Sequence, residues 1–338
     1  MKVKIDEIKQ LSYKILSKLG INENQINIII NSYLEADLCG VSTHGFNTFP
    51  EHIKKFIKGV YPLKPNIKTV KEEVSFSVID ANSSIGPLAA DFAMRLSVEK
   101  AKKVGIYTSF VRNANTFGPA FVYNNIALEN KMIGIIFSNS PAQMAPINGV
   151  EKLIGTNPIA ISIPANNEKP IVYDIATSEV AKSKIKQAAV EGRDIPVGWA
   201  TDEKGNPTTD PNEAIKGLIL PMSGYKGYGL AMCIDILSGL ISGAAFLNDV
   251  GRFYGGTECM NVGFTVIAID PVRIFNENFF NKVDEYIERI CHSKVNSSGN
   301  KISIPGENRI REKEKNLIDG IELNKETIDK LMEYEKEL

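Results

Sequence analysis

His44 is the residue best suited by type to move a proton. It is one of three histidines in 338 residues and stands in the polar stretch GVSTHGFNTF (40–49), with the hydroxyls of Ser42 and Thr43 beside it. An imidazole titrates near neutrality, so it can give or take a proton at ordinary working pH. The alternative role for the same residue is a half-exposed histidine at a helix start. Asp174 is near the end of the apolar run IVYDIA (171–176) and is followed by Thr177 and Ser178. That places it outside the carboxyl end of a strand, where α/β proteins bind ligands, and capping of the next helix is the competing role. SGYKGYGL (223–230) puts three glycines at a helix entry, where backbone N–H groups can approach a phosphate and Lys226 adds positive charge. No GxGxxG follows a strand and no GxxxxGK[ST] occurs, so the Rossmann fingerprint and the P-loop are both missing. The four cysteines (Cys39, Cys233, Cys259, Cys291) stand far apart without a CxxC pair, which argues against a structural zinc site and a disulfide framework. No metal is expected.

The elements that must position these groups follow from periodicity. Ile5, Ile8, Leu11, Ile15 and Leu19 form one helical stripe ended by Gly20, and Asn22 with Gln25 predicts a capped second helix running to residue 37 or 38. Ser42 and Thr43 are then expected to cap a third helix with His44 in its first turn, where the positive helix end disfavours imidazolium. Strands are predicted at 75–80, 106–112, 132–140, 159–164, 171–176 and 263–270, and helices at 86–103, 120–130, 179–191 and 276–294. This alternation is that of an α/β layer. Residues 192–217 are turn-rich, with the lone Trp199, and read as a surface excursion.

Composition limits the partners. A formal charge of −1, with 43% hydrophobic and 23% charged residues, is ordinary for a globular chain and leaves no basic footprint for nucleic acid or an anionic membrane. The charged start MKVKIDEIKQL lacks an apolar segment with a small-residue cleavage site, so a cytoplasmic location is expected. The apolar run 229–247 approaches membrane-spanning length, but Asp235 and its Ser, Gly and Ala residues predict a buried helix instead.

Seven stretches, in order, carry a resemblance: GVSTHGFNTFP (40–50), RNANTFG (112–118), MAPINGVEKLIGTNP (144–158), YDIATS (173–178), GWATDEKGNPTTDP (198–211), LPMSGYKGYGLAM (220–232) and IPGE (304–307). Together the chain resembles the non-Rossmann malate/L-lactate dehydrogenase family, and the NANTF and LPM blocks are most similar to its 2,3-diketogulonate reductase branch. The resemblance implies an α/β mixed-sheet fold with a helical domain built from both termini. The implied division is 1–72 for the N-terminal helical part, 73–274 for the cofactor- and substrate-binding region, and 275–338 for the return to the helical domain. It implies hydride transfer between NAD(P)H and the carbonyl of a small 2-oxo acid, with His44 as proton donor and acceptor. Substrate contacts would fall on Ser42, Thr43, Thr48, Asn115 and Thr116. Cofactor contacts would fall on Ser140, on Asp174, Ile175 and Ala176, on Gly224, Tyr225 and Lys226, and on Pro305, Gly306 and Glu307.

The resemblance also implies a homodimer with its active site near the subunit interface. NAD is preferred over NADP, although Lys182 or Lys184 could meet a 2′-phosphate. Two departures bear on substrate: Thr48 stands where many members carry a carboxylate-binding arginine, and Thr116 where many carry a histidine. These losses leave a second reading, a catalytically silent NAD(P)H-binding member. A lyase or hydrolase unrelated to nicotinamide is disfavoured by the seven ordered blocks.

Overall fold

The computed structural model describes residues 1–297 and 299–338. At its centre is a seven-stranded sheet in the order Lys68–Glu72, Phe76–Asp80, Ile106–Ala114, Val262–Ile269, Ile133–Ser138, Ile159–Ile163, Ile171–Ile175. Phe76–Asp80 and Ile106–Ala114 run parallel, and every other neighbouring pair is antiparallel. The parallel pair needs a crossover, supplied by helix α4 (Gly86–Val104). The middle position goes to Val262–Ile269, the most completely buried strand of this sheet, which inserts from far along the chain between two earlier ones. Small side chains let α4 lie close on the sheet: Ala89, Ala90, Ala93 and Ala101 pack with Met94 against Tyr107, Val111, Phe264 and Val266.

A second core is helical. Helices α1 (Ile5–Lys18), α2 (Glu23–Leu38) and α3 (Phe49–Ile57) bury Ile8, Ile15, Ile29, Tyr33, Phe49 and Ile53 with Leu331 of the last helix, Lys325–Glu337. Lys2–Val3 pairs antiparallel with Ile321–Glu322, so both ends of the described chain build this lobe. Asn22 caps α2 as its spacing predicts, accepting the Gln25 N–H at 3.0 Å. His52 of α3 is buried, bonded through Nδ1 to the Tyr61 hydroxyl at 3.1 Å, and burial pushes its pKa down to about 3. Helix Asn278–Cys291 instead covers the far strands, packing Val283 and Ile287 on Ile163 and Ile171.

Three local expectations change. Residues 192–217 form part of a folded lobe: Ile195, Ala200 and Ala214 share a core with Met144, Ile154, Ile185, Ile219 and Ala231. Its apolar positions are spread over a two-stranded pair and a short helix, so no single stretch shows a stripe. Residues 42–48 form two 3₁₀ turns, Ser42–His44 and Phe46–Thr48, ahead of α3, and neither Ser42 nor Thr43 caps a helix with its side chain. The predicted buried helix at 229–247 is an α-helix, Tyr225–Asp235, continued by a π-turn at Ile236–Leu240. Its buried side is mostly small or polar (Gly227, Ala231, Asp235, Ser238, Ser242), with Ile234 its large apolar member, while Met232, Ile236, Leu237, Leu240 and Ile241 are exposed. Among the described residues no helix is long and apolar enough to cross a membrane.

Candidate active site

His44 ends the first 3₁₀ turn, and Gly45 follows in extended conformation, which separates it from α3. Its Nδ1 lies 3.0 Å from Thr43 Oγ1, so Nε2 is the ring nitrogen left to face a ligand. The ring is accessible to solvent although the surrounding chain crowds it, and that loss of hydration lowers its pKa below the usual value of 6.5. The direction agrees with the sequence expectation, but the cause is desolvation and not a helix end. Ser42 is half-buried. The Thr48 hydroxyl donates to Gly45 O at 2.8 Å, so its proton is committed to the turn.

The NANTFG loop comes to the same place. A Cβ at Gly118 would stand 3.6 Å from His44 O, which sets this loop beside the histidine turn. Asn115 is fully buried and its side chain is engaged on both ends: Nδ2 donates to Ser83 O (2.9 Å) and Ser84 O (3.1 Å), and Oδ1 accepts from Met260 N–H (3.0 Å). It joins three loops. Thr116 is half-buried, and its carbonyl packs on Gly86 at the start of α4, where a Cβ would come within 2.3 Å.

The remaining blocks are stitched together by the backbone. Thr177 N–H donates to Thr156 O and Met222 N–H to Thr177 O, both at 2.9 Å, and Val172 N–H donates to Pro305 O at 2.9 Å. Ser140 N–H donates to Asn157 Oδ1 (3.0 Å), and Asn157 Nδ2 donates to Ala231 O (2.9 Å), fixing Ser140 relative to the Tyr225–Asp235 helix. Gly155 has to be glycine here, since a Cβ would meet Ser140 O at 2.1 Å.

Asp174 does cap a helix, but not the one that follows it. Its Oδ2 accepts the Phe121 N–H of helix α5 (Phe121–Glu129) at 3.1 Å. Burial raises its pKa, opposed by the Arg309 charge and the backbone donors. Arg309 donates to Asp174 O at 2.8 Å and stacks over the Phe121 ring, 4.8 Å from its centre. Ile175 and Ala176 follow, half-buried. Gly306 starts the helix Glu307–Asp319 at φ +102, pressed on Val172, and Pro305 is exposed. Glu307 lies 3.8 Å from Lys301.

Gly224 has φ +64, open space around it and no side-chain cap on the helix it begins; the Gly227 N–H is taken by Met222 O at 2.9 Å, which leaves the Tyr225 and Lys226 N–H groups for an anion. Tyr225 and Lys226 are exposed beside it. A pocket of about 380 Å³ opens next to Gly224, walled by Ile147, Val197, Trp199, Leu220 and Pro221, with Glu179 and Ser223 as its polar members. Among the described residues no group of three His, Cys, Asp or Glu is placed to hold a metal.

Asp37, Asn157 and Arg309 escaped sequence reasoning. Asp37 left one signal: an acid in the last turn of a helix stands where the helix dipole disfavours negative charge. Asn157 and Arg309 bond backbone carbonyls far away in sequence, which no local pattern announces.

The family model of malate/L-lactate dehydrogenase matches residues 3–332. The malate/(S)-sulfolactate dehydrogenase of Methanothermus fervidus is 38% identical over 98% of this chain and 97% of its own length. The L-sulfolactate dehydrogenase of Methanocaldococcus jannaschii is 40% identical over 100% and 97%. Among solved structures, the sulfolactate dehydrogenase from Methanocaldococcus jannaschii superposes with a TM-score of 0.95 at 39% identity, covering 100% of this chain and 97% of that one. The malate dehydrogenase from Pyrococcus horikoshii gives 0.90 at 32% identity, covering 100% and 95%. With the mixed sheet, the two-ended helical lobe and seven blocks gathered in one fold, the chain belongs to the malate/L-lactate dehydrogenase family.

Proposed function

We propose that the protein is an NAD(P)-dependent oxidoreductase that interconverts a small 2-oxo acid and its 2-hydroxy acid, with His44 carrying the proton. The observation that carries the reading is the accessible His44 ring, held at Nδ1 by Thr43 with Nε2 free. When bound, the nicotinamide cofactor supplies or accepts the hydride. The residues fit such a group: the open, uncapped helix start at Gly224 suits phosphate oxygens, and the adjacent pocket, mostly apolar with Glu179 on one wall, suits a flat ring with polar substituents. Ser140, the Asp174–Ala176 strand end and the Pro305–Glu307 turn would hold the rest.

His44 does the chain's own chemistry. In reduction, its imidazolium gives the Nε2 proton to the substrate oxygen as negative charge grows there. In oxidation, the neutral ring takes the hydroxyl proton. Its lowered pKa keeps the ring neutral at pH 7, which favours the second role unless an anionic substrate raises it.

The relatives act on malate and sulfolactate, so the corresponding oxo acids, oxaloacetate and sulfopyruvate, head the substrates to try. With Thr48 and Thr116 at the substrate end, sugar keto acids and cyclic imines belong in the same panel. Half-buried Lys182 lies in the field of Lys152, Lys186 and Arg252, positive charge that supports acceptance of NADPH alongside the NADH preferred from sequence. Loss of 340 nm absorbance with any of these substrates is the expected result. Cofactor binding without turnover across the panel would favour the silent reading.

The same proposal includes a homodimer. The exposed face of Met232, Ile236, Leu237, Leu240 and Ile241 is larger and more apolar than the buried side of its own helix, the inverse of a solvated surface. A second copy related by a twofold axis can cover it. Sedimentation is expected to show a dimer for the unmodified chain and a monomer for Ile236→Asp. A folded Ile236→Asp dimer would place the interface elsewhere.

A further inference from the structure

The turn that carries His44 is held from beneath by a buried acid that the proposed proton transfer does not use. Asp37, in the last turn of α2, is 4% exposed, and its Oδ2 accepts the Phe46 N–H at 2.7 Å. Its other oxygen, Oδ1, has no hydrogen-bond partner among the described residues. Gly45 lies directly on the carboxyl group: a Cβ there would stand 2.0 Å from Oδ1 and 2.4 Å from Oδ2. The residue after His44 is therefore shaped to the acid, and the next one is bonded to it.

A buried acid with one oxygen unsatisfied destabilises a fold, so its presence calls for an account. Burial raises its pKa to about 7, against the pull of the Phe46 N–H. Capping α2 is not that account, since Asp37 sits at the wrong end of the helix for a carboxylate. Its backbone carbonyl is bonded elsewhere, accepting from the Gly40 N–H at 3.0 Å and from Asn316 Nδ2 of helix Glu307–Asp319 at 3.4 Å. The side chain serves only the His44–Phe46 turn. The far end of the same loop is fixed separately, where Asn47 Oδ1 accepts from Asn324 N–H (3.0 Å) and the Thr327 hydroxyl (3.1 Å).

We propose that Asp37 is the positioning residue of His44: bonded to Phe46 and packed on Gly45, it fixes the turn so that the imidazole faces the substrate in one orientation. This rests on the oxidoreductase reading given above. Orientation matters because proton transfer requires hydrogen-bond reach, and a displacement of about 1 Å can lower a rate by about 10²-fold.

The test compares Asp37→Ala with Asp37→Asn, using NADH and whichever 2-oxo acid the unmodified chain reduces. Asp37→Ala is expected to lower kcat tenfold or more with the KM for NADH within twofold, and Asp37→Asn, which keeps an oxygen for Phe46, to recover kcat to within threefold. Hydrogen exchange gives a second readout that needs no turnover: the Phe46 amide should be protected in the unmodified chain and in Asp37→Asn. If Asp37→Ala does not fold, Asp37→Asn still decides, because kcat within threefold with Phe46 protected supports the assignment. A folded Asp37→Ala with kcat within twofold, an Asp37→Asn that loses tenfold in kcat, or an unprotected Phe46 amide in the unmodified chain overturns it. An unmodified chain that reduces nothing in the panel but protects Phe46 would sink the oxidoreductase reading and leave the anchor standing.

Discussion

Replacing His44 by alanine is expected to lower kcat by roughly 10²–10⁴-fold, about 3–5 kcal/mol of barrier, and to leave the KM for the cofactor within about twofold. The proton carrier is lost, while Ser140, Gly224 and the Asp174 strand end are fixed by Asn157, Thr177 and α5, which do not depend on His44. The sign of the pH dependence follows from the lowered pKa. Oxidation uses the neutral ring, so its rate should be flat from pH 7 upward and fall only as pH drops through a value below 6.5. Reduction uses the imidazolium and should fall as pH rises through that same value, unless bound substrate raises it. Steady-state kinetics in both directions check this, and kcat within threefold for the alanine variant would exclude the role.

Asn115→Ala is expected to damage the fold more than the binding of substrate. The change leaves Ser83 O, Ser84 O and Met260 N–H without their side-chain partner inside a buried junction. At about 1–2 kcal/mol for each, the loss is roughly 3–6 kcal/mol, and for a chain of this length Tm should fall by roughly 4–8 °C. A substrate contact would behave differently, raising KM with Tm unchanged, and a calorimetric scan beside a substrate titration separates the two. Asn115 belongs to the block from which a substrate contact was expected. Of the same block it is Gly118 that lies beside His44 O, while the Asn115 amide is committed to loops.

Strands and helices were legible wherever one face of one element carried the burial. The alternation in Phe76–Asp80 and Ile133–Ser138, and the Asn22 cap, are local patterns, and each stands within a residue or two of its expected place. Strand order was not legible, because Val262–Ile269 takes the centre of the sheet by pairing with strands more than a hundred residues earlier. The type of His44 was legible but its setting was not: Gly45 breaks the chain into 3₁₀ turns, where a capped α-helix was expected. The apolar run 229–247 misled for a physical reason. Composition shows how apolar a helix is but not which side it buries, and here the side that faces inward is mostly small, Ile234 apart, while five large apolar residues face outward.

Isotopic labelling follows the proposed hydride from cofactor to 2-oxo acid. NADH and NADPH carrying deuterium at nicotinamide C4 would be incubated with the unmodified chain and the 2-oxo acid panel, and the products weighed by mass spectrometry. A 2-hydroxy acid one mass unit heavier is expected from at least one substrate, with deuterium on the former carbonyl carbon and loss of that product in His44→Ala. No labelled hydroxy acid from any substrate with either cofactor, from a chain that binds both, would contradict the proposed transfer.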